Sequence, residues 1–294
     1  MGTRLEAPSR RLEIKARVTG GALMVASMAL LAVNDAACKS LFPQFSASQV
    51  MAMRGAVMVA VVLGVALAFP AARRQLTFRE GRLHALRAGL VGVSALLYLG
   101  GLTSIPLANT LALTFISPFI VVALSGRMLG EPVGTSVWLG VLTGFAGVGL
   151  VLQPTFRHFG PITILPLLAG VTIAVTDLLT RRMSVTESPL AIVMSTSLGT
   201  LAVGLVAAGR DWRMPGAQAV ALVSLAAIAF LLAYLLMAYA FRAAPAPYVS
   251  AFRYSALVWS VAFGYWLWGQ VPDALAMTGL VLIALGGAYT VLRR

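Results

Sequence analysis

One cysteine, two histidines and two lysines leave little room for several kinds of chemistry. Cys38 has no partner in the chain for a disulfide, and with only His84 and His158 beside it no Cys/His metal site can be assembled. The same two histidines argue against a Ser/His/Asp hydrolase. Neither Lys15 nor Lys39 follows the glycine pattern of a phosphate-cradling loop, so no use of ATP is expected and no cofactor is implied. Charge is also scarce: 11% of residues are Asp, Glu, Lys or Arg, against about a quarter in soluble domains. What fills the chain instead is apolar, at 60% of residues with a mean hydropathy of +0.91. These values predict an all-α membrane protein, whose unit is the span of roughly 20 apolar residues.

A net charge of +13 would suggest nucleic acid as the partner of a soluble protein. Here the basic residues lie between apolar runs, so nucleic acid is not expected and the charge is read as topology. Charges at mid-membrane cost at least about 2.5 kcal/mol, so gaps between them mark spans. The expected spans, numbered 1 to 10, cover 19–39, 49–69, 83–103, 107–126, 134–152, 161–181, 189–208, 218–241, 247–267 and 273–291. Proline separates spans 3 and 4 at Pro106 and opens span 9 at Pro245 and Pro247. The first 18 residues include Glu6 and Glu13 and precede a span-length run, so they are read as a cytoplasmic segment before a retained helix, not as a signal peptide. With both termini cytoplasmic, sixteen of the 22 basic residues fall inside. Lys39, Arg157, Arg210 and Arg213 fall outside, while Arg54 and Arg253 lie within helices.

The chain repeats itself. At a spacing of 139 residues Pro106 falls on Pro245, Ala112 on Ala251, Val122 on Val261, Gly130 on Gly269, Gly140 on Gly279 and Gly147 on Gly286. At a spacing of 142, Ala32-Val33-Asn34-Asp35 falls on Ala174-Val175-Thr176-Asp177, with Lys39 on Arg181. The expected domains are a segment 1–18, a first five-helix repeat 19–156 and a second 157–294. Because five is odd, the second half must be inverted, the symmetry that lets a carrier alternate about a midplane site.

Arg54 early in span 2, the Pro106 turn, the Gly130-Glu131 turn and the glycines of span 5, with their echoes at Pro245, Gly269, Gly279 and Gly286, resemble the drug/metabolite transporter superfamily. The resemblance is to its ten-helix EamA-type branch, and within it to bacterial exporters of aromatic amino acids and other metabolites. It implies a multi-pass protein of the bacterial inner membrane, a small-molecule substrate, outward transport, and a cavity lined by spans 1, 3, 4, 6, 8 and 9. Gln270 stands where Glu131 stands in the first half, a departure from the paired pattern.

Asp35 and Asp177 are candidates for proton or substrate handling, since a carboxylate within a span is costly. Each precedes a basic residue by four, which also reads as a helical ion pair with Lys39 or Arg181. Arg253 is a candidate carboxylate contact, whereas Arg54 reads as a snorkelling anchor for helix packing. Tyr248, Phe252, Ser255 and Trp259 recur at helical spacing and predict an aromatic face on span 9, suited to a binding wall or to helix contacts. Asn34, Tyr98, Thr110, Tyr234 and Tyr239 are further candidate polar contacts, or interhelical glue. Glycines in spans 5 and 10 predict close packing of those helices on each other or on a second protomer, as in a homodimer. The expected function is a secondary exporter of amino acids or related metabolites, with efflux of lipophilic cations as the nearest rival and a membrane receptor or enzyme as the other class.

Overall fold

The computed structural model describes residues 10–105, 107–131, 133–152, 160–209, 212–268 and 273–292. Pro106, Arg157, His158, Arg210, Gly269 and Gln270 lie outside them, as do residues 1–9 of the N-terminal segment and the side chain of Ala112. Among the described residues every regular element is helical: α1 (Arg10–Leu41), α2 (Ala47–Ala68), the short α3 (Pro70–Arg73), α4 (Gly81–Ser104), α5 (Leu107–Thr114), α6 (Ile116–Leu129), α7 (Thr135–Leu152), α8 (Ile164–Met183), α9 (Pro189–Ala208), α10 (Ala217–Ala243), α11 (Ala246–Ala251), α12 (Ser255–Trp268) and α13 (Ala274–Leu292). Six of these, α1, α2, α4, α8, α9 and α10, are long and apolar enough to cross a membrane, and shorter apolar helices occupy Ile116–Leu129, Thr135–Leu150 and Met277–Gly286.

Local chemistry sets several of the ends. Ser46 and Ser188 cap α2 and α9 by accepting from the amides of Gln49 and Ala191. Gly130 ends α6 at a φ of 67°, a left-handed turn that glycine enters without steric cost. The helix expected over 107–126 is broken at Phe115. Pro118 is the physical reason: it has no amide to offer the Thr114 carbonyl four residues back, and its ring crowds that carbonyl. The helix expected over 247–267 is likewise interrupted, by a 3-10 turn at Phe252–Tyr254. At the other extreme, α1 begins at Arg10, nine residues before the span expected from residue 19.

Antiparallel pairs build the bundle. Ser27 donates to the Ala233 carbonyl and Gly20 lies against Ala240 and Ala244, so α1 runs antiparallel along α10. Contacts Arg87–Thr180, Ser94–Thr172 and Gly101–Pro166 place α4 antiparallel to α8. Further pairs are α2 with α9 and α7 with α13, while α12 rests on α1 and α6 on α8. The glycines expected to bring spans 5 and 10 together do so within the chain: a Cβ on Gly147 would sit 2.6 Å from the Gly279 carbonyl oxygen, and one on Gly286 would sit 2.7 Å from that of Gly140.

A buried mixed-charge cavity as the candidate functional site

Between these helices lies a cavity with about 840 Å³ of empty space, its mouth included. Asn34 and Asp35 reach it from α1, Arg54 from α2, Ser94 and Tyr98 from α4, Phe230 and Tyr234 from α10, and Arg253 from the 3-10 turn. The break between α5 and α6 contributes Thr114, Phe115, Ser117 and Pro118. That break brings Thr114 and Ser117 to the cavity wall, while the Thr114 hydroxyl donates to the Leu111 carbonyl and the Thr114 carbonyl packs against Gly170 of α8. A mostly apolar wall with a few converging polar groups is the usual make-up of a small-molecule site.

Two guanidinium groups line this space in different states. Arg253 Nη2 is 2.5 Å from Asp177 Oδ1 and 3.4 Å from the sulfur of Met237, with its Nε unpartnered. Arg54 is only 1% exposed, and its Nη1 donates to Asn34 Oδ1 at 2.8 Å while its plane lies 4.0 Å from the Phe230 ring centroid. Its Nε and Nη2 have no partner. Asp35 accepts from the Tyr98 hydroxyl at 2.8 Å and the Asn34 amide at 2.9 Å. The site thus holds both signs of charge, with part of its hydrogen-bonding capacity unused.

The candidate residues separate accordingly. Asn34, Asp35, Tyr98, Tyr234 and Arg253 line the cavity, and Asp177 touches it through Arg253. Thr110 is fully buried with its hydroxyl 3.4 Å from the Ile105 carbonyl, and Tyr239 is 44% exposed on the outer surface of α10. The aromatic face of span 9 is a face, but it meets α1: Arg17 lies 4.1 Å from the Tyr248 ring, Phe252 covers Gly21, and Trp259 Nε1 donates to the Val25 carbonyl. Residues 17, 21 and 25 form one stripe of α1, matched to that face. Ser255 turns back to the Phe252 carbonyl at 2.7 Å.

Three expectations are corrected. The helical pair Asp177–Arg181 does not form, because Asp177 takes Arg253 and Arg181 takes Glu131 at 2.7 Å. Arg54 does not snorkel to an interface but turns inward, where Asn34 and the Phe230 face replace water. Arg87, counted among the cytoplasmic charges, is 0% exposed: its Nε and Nη1 donate to the hydroxyls of Thr180 and Thr196 and to the Ile192 carbonyl, while its Nη2 has no partner. Sequence reasoning also passed over Ser94, Thr114, Ser117 and Phe230. For Thr114 and Ser117 the signal was present in Pro118, a proline inside a helical run; for the others no local signal distinguishes them from packing residues.

The cavity sits toward the C-terminal ends of α1 and α4. Across the opposite end of the bundle, Glu131 joins four elements: its Oε1 accepts from Arg181 of α8, and its Oε2 accepts from the Ala246 amide that opens α11, at 2.9 Å. Arg181 in turn reaches the Phe241 carbonyl near the end of α10. A carboxylate at a helix start and a guanidinium at helix ends are each favourably placed. Charge-assisted hydrogen bonds thus tie the helix ends together here.

Known proteins share both sequence and fold with this chain. It is 31% identical over 219 residues to a riboflavin transporter of Vibrio cholerae, covering 74% of each chain. It is 28% identical over 204 residues to an S-adenosylmethionine uptake transporter of Rickettsia prowazekii, covering 68% of each. To the pseudopaline exporter of Pseudomonas aeruginosa it is 27% identical over 210 residues, covering 70% of this chain and 74% of the exporter. A protein crystal structure with 19% identity superposes with a TM-score of 0.76, covering 95% of this chain and 97% of that one, a likeness of fold. The EamA-like transporter profile matches residues 18–153 and again 160–292. With its apolar helices and these bacterial relatives the protein is a multi-pass membrane protein, and the chain belongs to the EamA-like transporter family of the drug/metabolite transporter superfamily.

Proposed function

We propose that the protein is a secondary transporter that exports amino acids or closely related metabolites across the bacterial inner membrane. The observation that carries this reading is the cavity itself, which offers guanidinium and carboxylate groups together among Tyr98, Phe115, Phe230 and Tyr234. Such a site matches a ligand that carries both charges and an apolar or flat body. S-adenosylmethionine, the cargo named for one relative, has an amino-acid end and a flat base; riboflavin, named for another, has a flat ring system. A phosphate cargo fits less well, because Asp35 and Asp177 offset Arg54 and Arg253.

Alternating access fits the same molecule. The two family matches at 18–153 and 160–292 support a repeated half, and this reading takes the halves as five spans each, inverted, with both termini cytoplasmic. Exchanging each helix for its counterpart also turns the α1–α10 pair into α8–α4 and leaves α2–α9 and α7–α13 unchanged. In this reading the Glu131–Arg181–Ala246 cluster is the closed cytoplasmic gate, and opening it while the other end closes carries cargo across. No covalent chemistry is needed.

The test is uptake of labelled amino acids, riboflavin and S-adenosylmethionine into proteoliposomes containing the purified protein, with counterflow to read direction. Saturable movement of amino acids supports the proposal. Movement of lipophilic cations in their place would transfer the assignment to drug efflux.

A further inference from the structure

Opposite charges that could have paired are held apart at one wall of the cavity. Asn34 uses its two amide atoms on two different neighbours: its oxygen accepts from Arg54 and its nitrogen donates to Asp35. The guanidinium and the carboxylate are therefore joined through a neutral spacer. This contrasts with Arg253 and Asp177, which meet directly.

Each charge keeps unused capacity as a result. Arg54 is 1% exposed, lines the cavity, and has two nitrogens, Nε and Nη2, with no acceptor. A buried guanidinium left that way is costly unless a ligand supplies the acceptors. Nε and one Nη make one edge of the guanidinium fork, the edge that receives both oxygens of a carboxylate. Asp35 has accepted one hydrogen bond on each oxygen, from Asn34 and Tyr98, and a carboxylate has about four acceptor positions. The Phe230 ring backs the guanidinium at 4.0 Å and fixes its plane.

We propose that Arg54, Asn34 and Asp35 form the receptor for an α-amino-carboxylate head group, with the Arg54 edge holding the carboxylate and Asp35 taking the ammonium. The Asn34 amide sets the separation of the two charges, as the single α-carbon sets it in the ligand. The proposal rests on the amino-acid reading above and names the residues that would enforce it. It moves the carboxylate contact from Arg253, whose charge Asp177 already occupies, to Arg54, which sequence reasoning had treated as a packing anchor.

Equilibrium binding of three probes to the full chain in lipid nanodiscs tests this: L-phenylalanine, phenethylamine, which lacks the carboxylate, and 3-phenylpropanoate, which lacks the amine. The wild type should bind either truncated probe roughly ten- to a hundred-fold more weakly than L-phenylalanine, the worth of a charge-assisted contact. Arg54→Gln should bring L-phenylalanine down to the level of phenethylamine while leaving phenethylamine unchanged, and Arg54→Lys should recover part of the loss. Asp35→Asn should do the same for L-phenylalanine relative to 3-phenylpropanoate. The paired variant Arg253→Met/Asp177→Leu, which removes both charges together, should shift all three probes by one common factor. Equal weakening of all three by Arg54→Gln, or loss of the carboxylate preference in the paired variant alone, overturns the receptor while leaving amino-acid transport standing. Failure of the wild type to bind L-phenylalanine at all overturns both.

Discussion

Removing one half of the Arg253–Asp177 pair should cost far more than removing both. The pair is buried, with side-chain exposures of 11% and 2%, and Asp177 Oδ2 already lacks a partner. Arg253→Met strips Oδ1 of its only partner among these bonds and leaves a carboxylate inside the bundle, a loss of about 3–5 kcal/mol. Asp177→Leu strands the guanidinium, with only the Met237 sulfur near Nη2, and should cost a similar amount. The double variant fills the same space with apolar groups and strands nothing, so its destabilisation should fall to about 1–2 kcal/mol, well below the sum of the singles. Reversible unfolding in mixed micelles across an SDS titration measures all four corners of the cycle. A double variant whose loss equals the sum of the singles within about 0.5 kcal/mol would show that the two groups do not depend on each other, and would refute the argument.

Glu131→Gln keeps the shape of the gate but gives one carbonyl oxygen where Arg181 and Ala246 each use one, a loss of about 1–2 kcal/mol at that end. It should raise several-fold the alkylation rate of a cysteine placed by Ser250→Cys, a fully buried position of α11 four residues beyond Ala246, in a Cys38→Ser background; an unchanged rate would remove the gate from the mechanism. Gly55→Ala puts a Cβ 2.5 Å from the Leu201 amide nitrogen where α2 meets α9, and should lower the folded yield sharply, whereas Gly64→Ala, with nothing within 4 Å, should be silent by size-exclusion profile. Tyr98→Phe removes one of the two hydrogen bonds on Asp35 and should reduce saturable uptake, while Tyr239→Phe on the outer surface should leave it unchanged. Equal effects of the two tyrosine variants would contradict the placement of the site.

Much of the architecture was legible because the membrane imposes rules on composition. Charge-free runs coincide with helices, Pro189 and Ala208 bound α9 as expected, and Gly130 ends α6 because only glycine enters its turn freely. Helical periodicity also placed Tyr248, Phe252 and Trp259 on one side, yet it carries no information about what that side meets, and α1 proved to be the partner. Pro118 could have revealed the break at Phe115, since its effect on the carbonyl four residues back is local.

Pairing of charges was not legible, for a physical reason. Asp177 and Arg181 are neighbours by helical spacing, but an i,i+4 pair is worth only a few tenths of a kcal/mol, and a better-placed partner on another helix easily outcompetes it. Arg253 lies 76 residues away and Glu131 lies 50 residues from Arg181. Which arginine keeps free donors, and which is already spoken for, depends on those distant contacts. Sequence alone determined that this chain is a bundle of membrane helices with a repeated pattern, because burial in lipid constrains every residue of a span. Only the tertiary structure decided that Arg54 faces the cavity beside Asp35 with donors to spare, because the direction of a side chain is set by the helices packed around it.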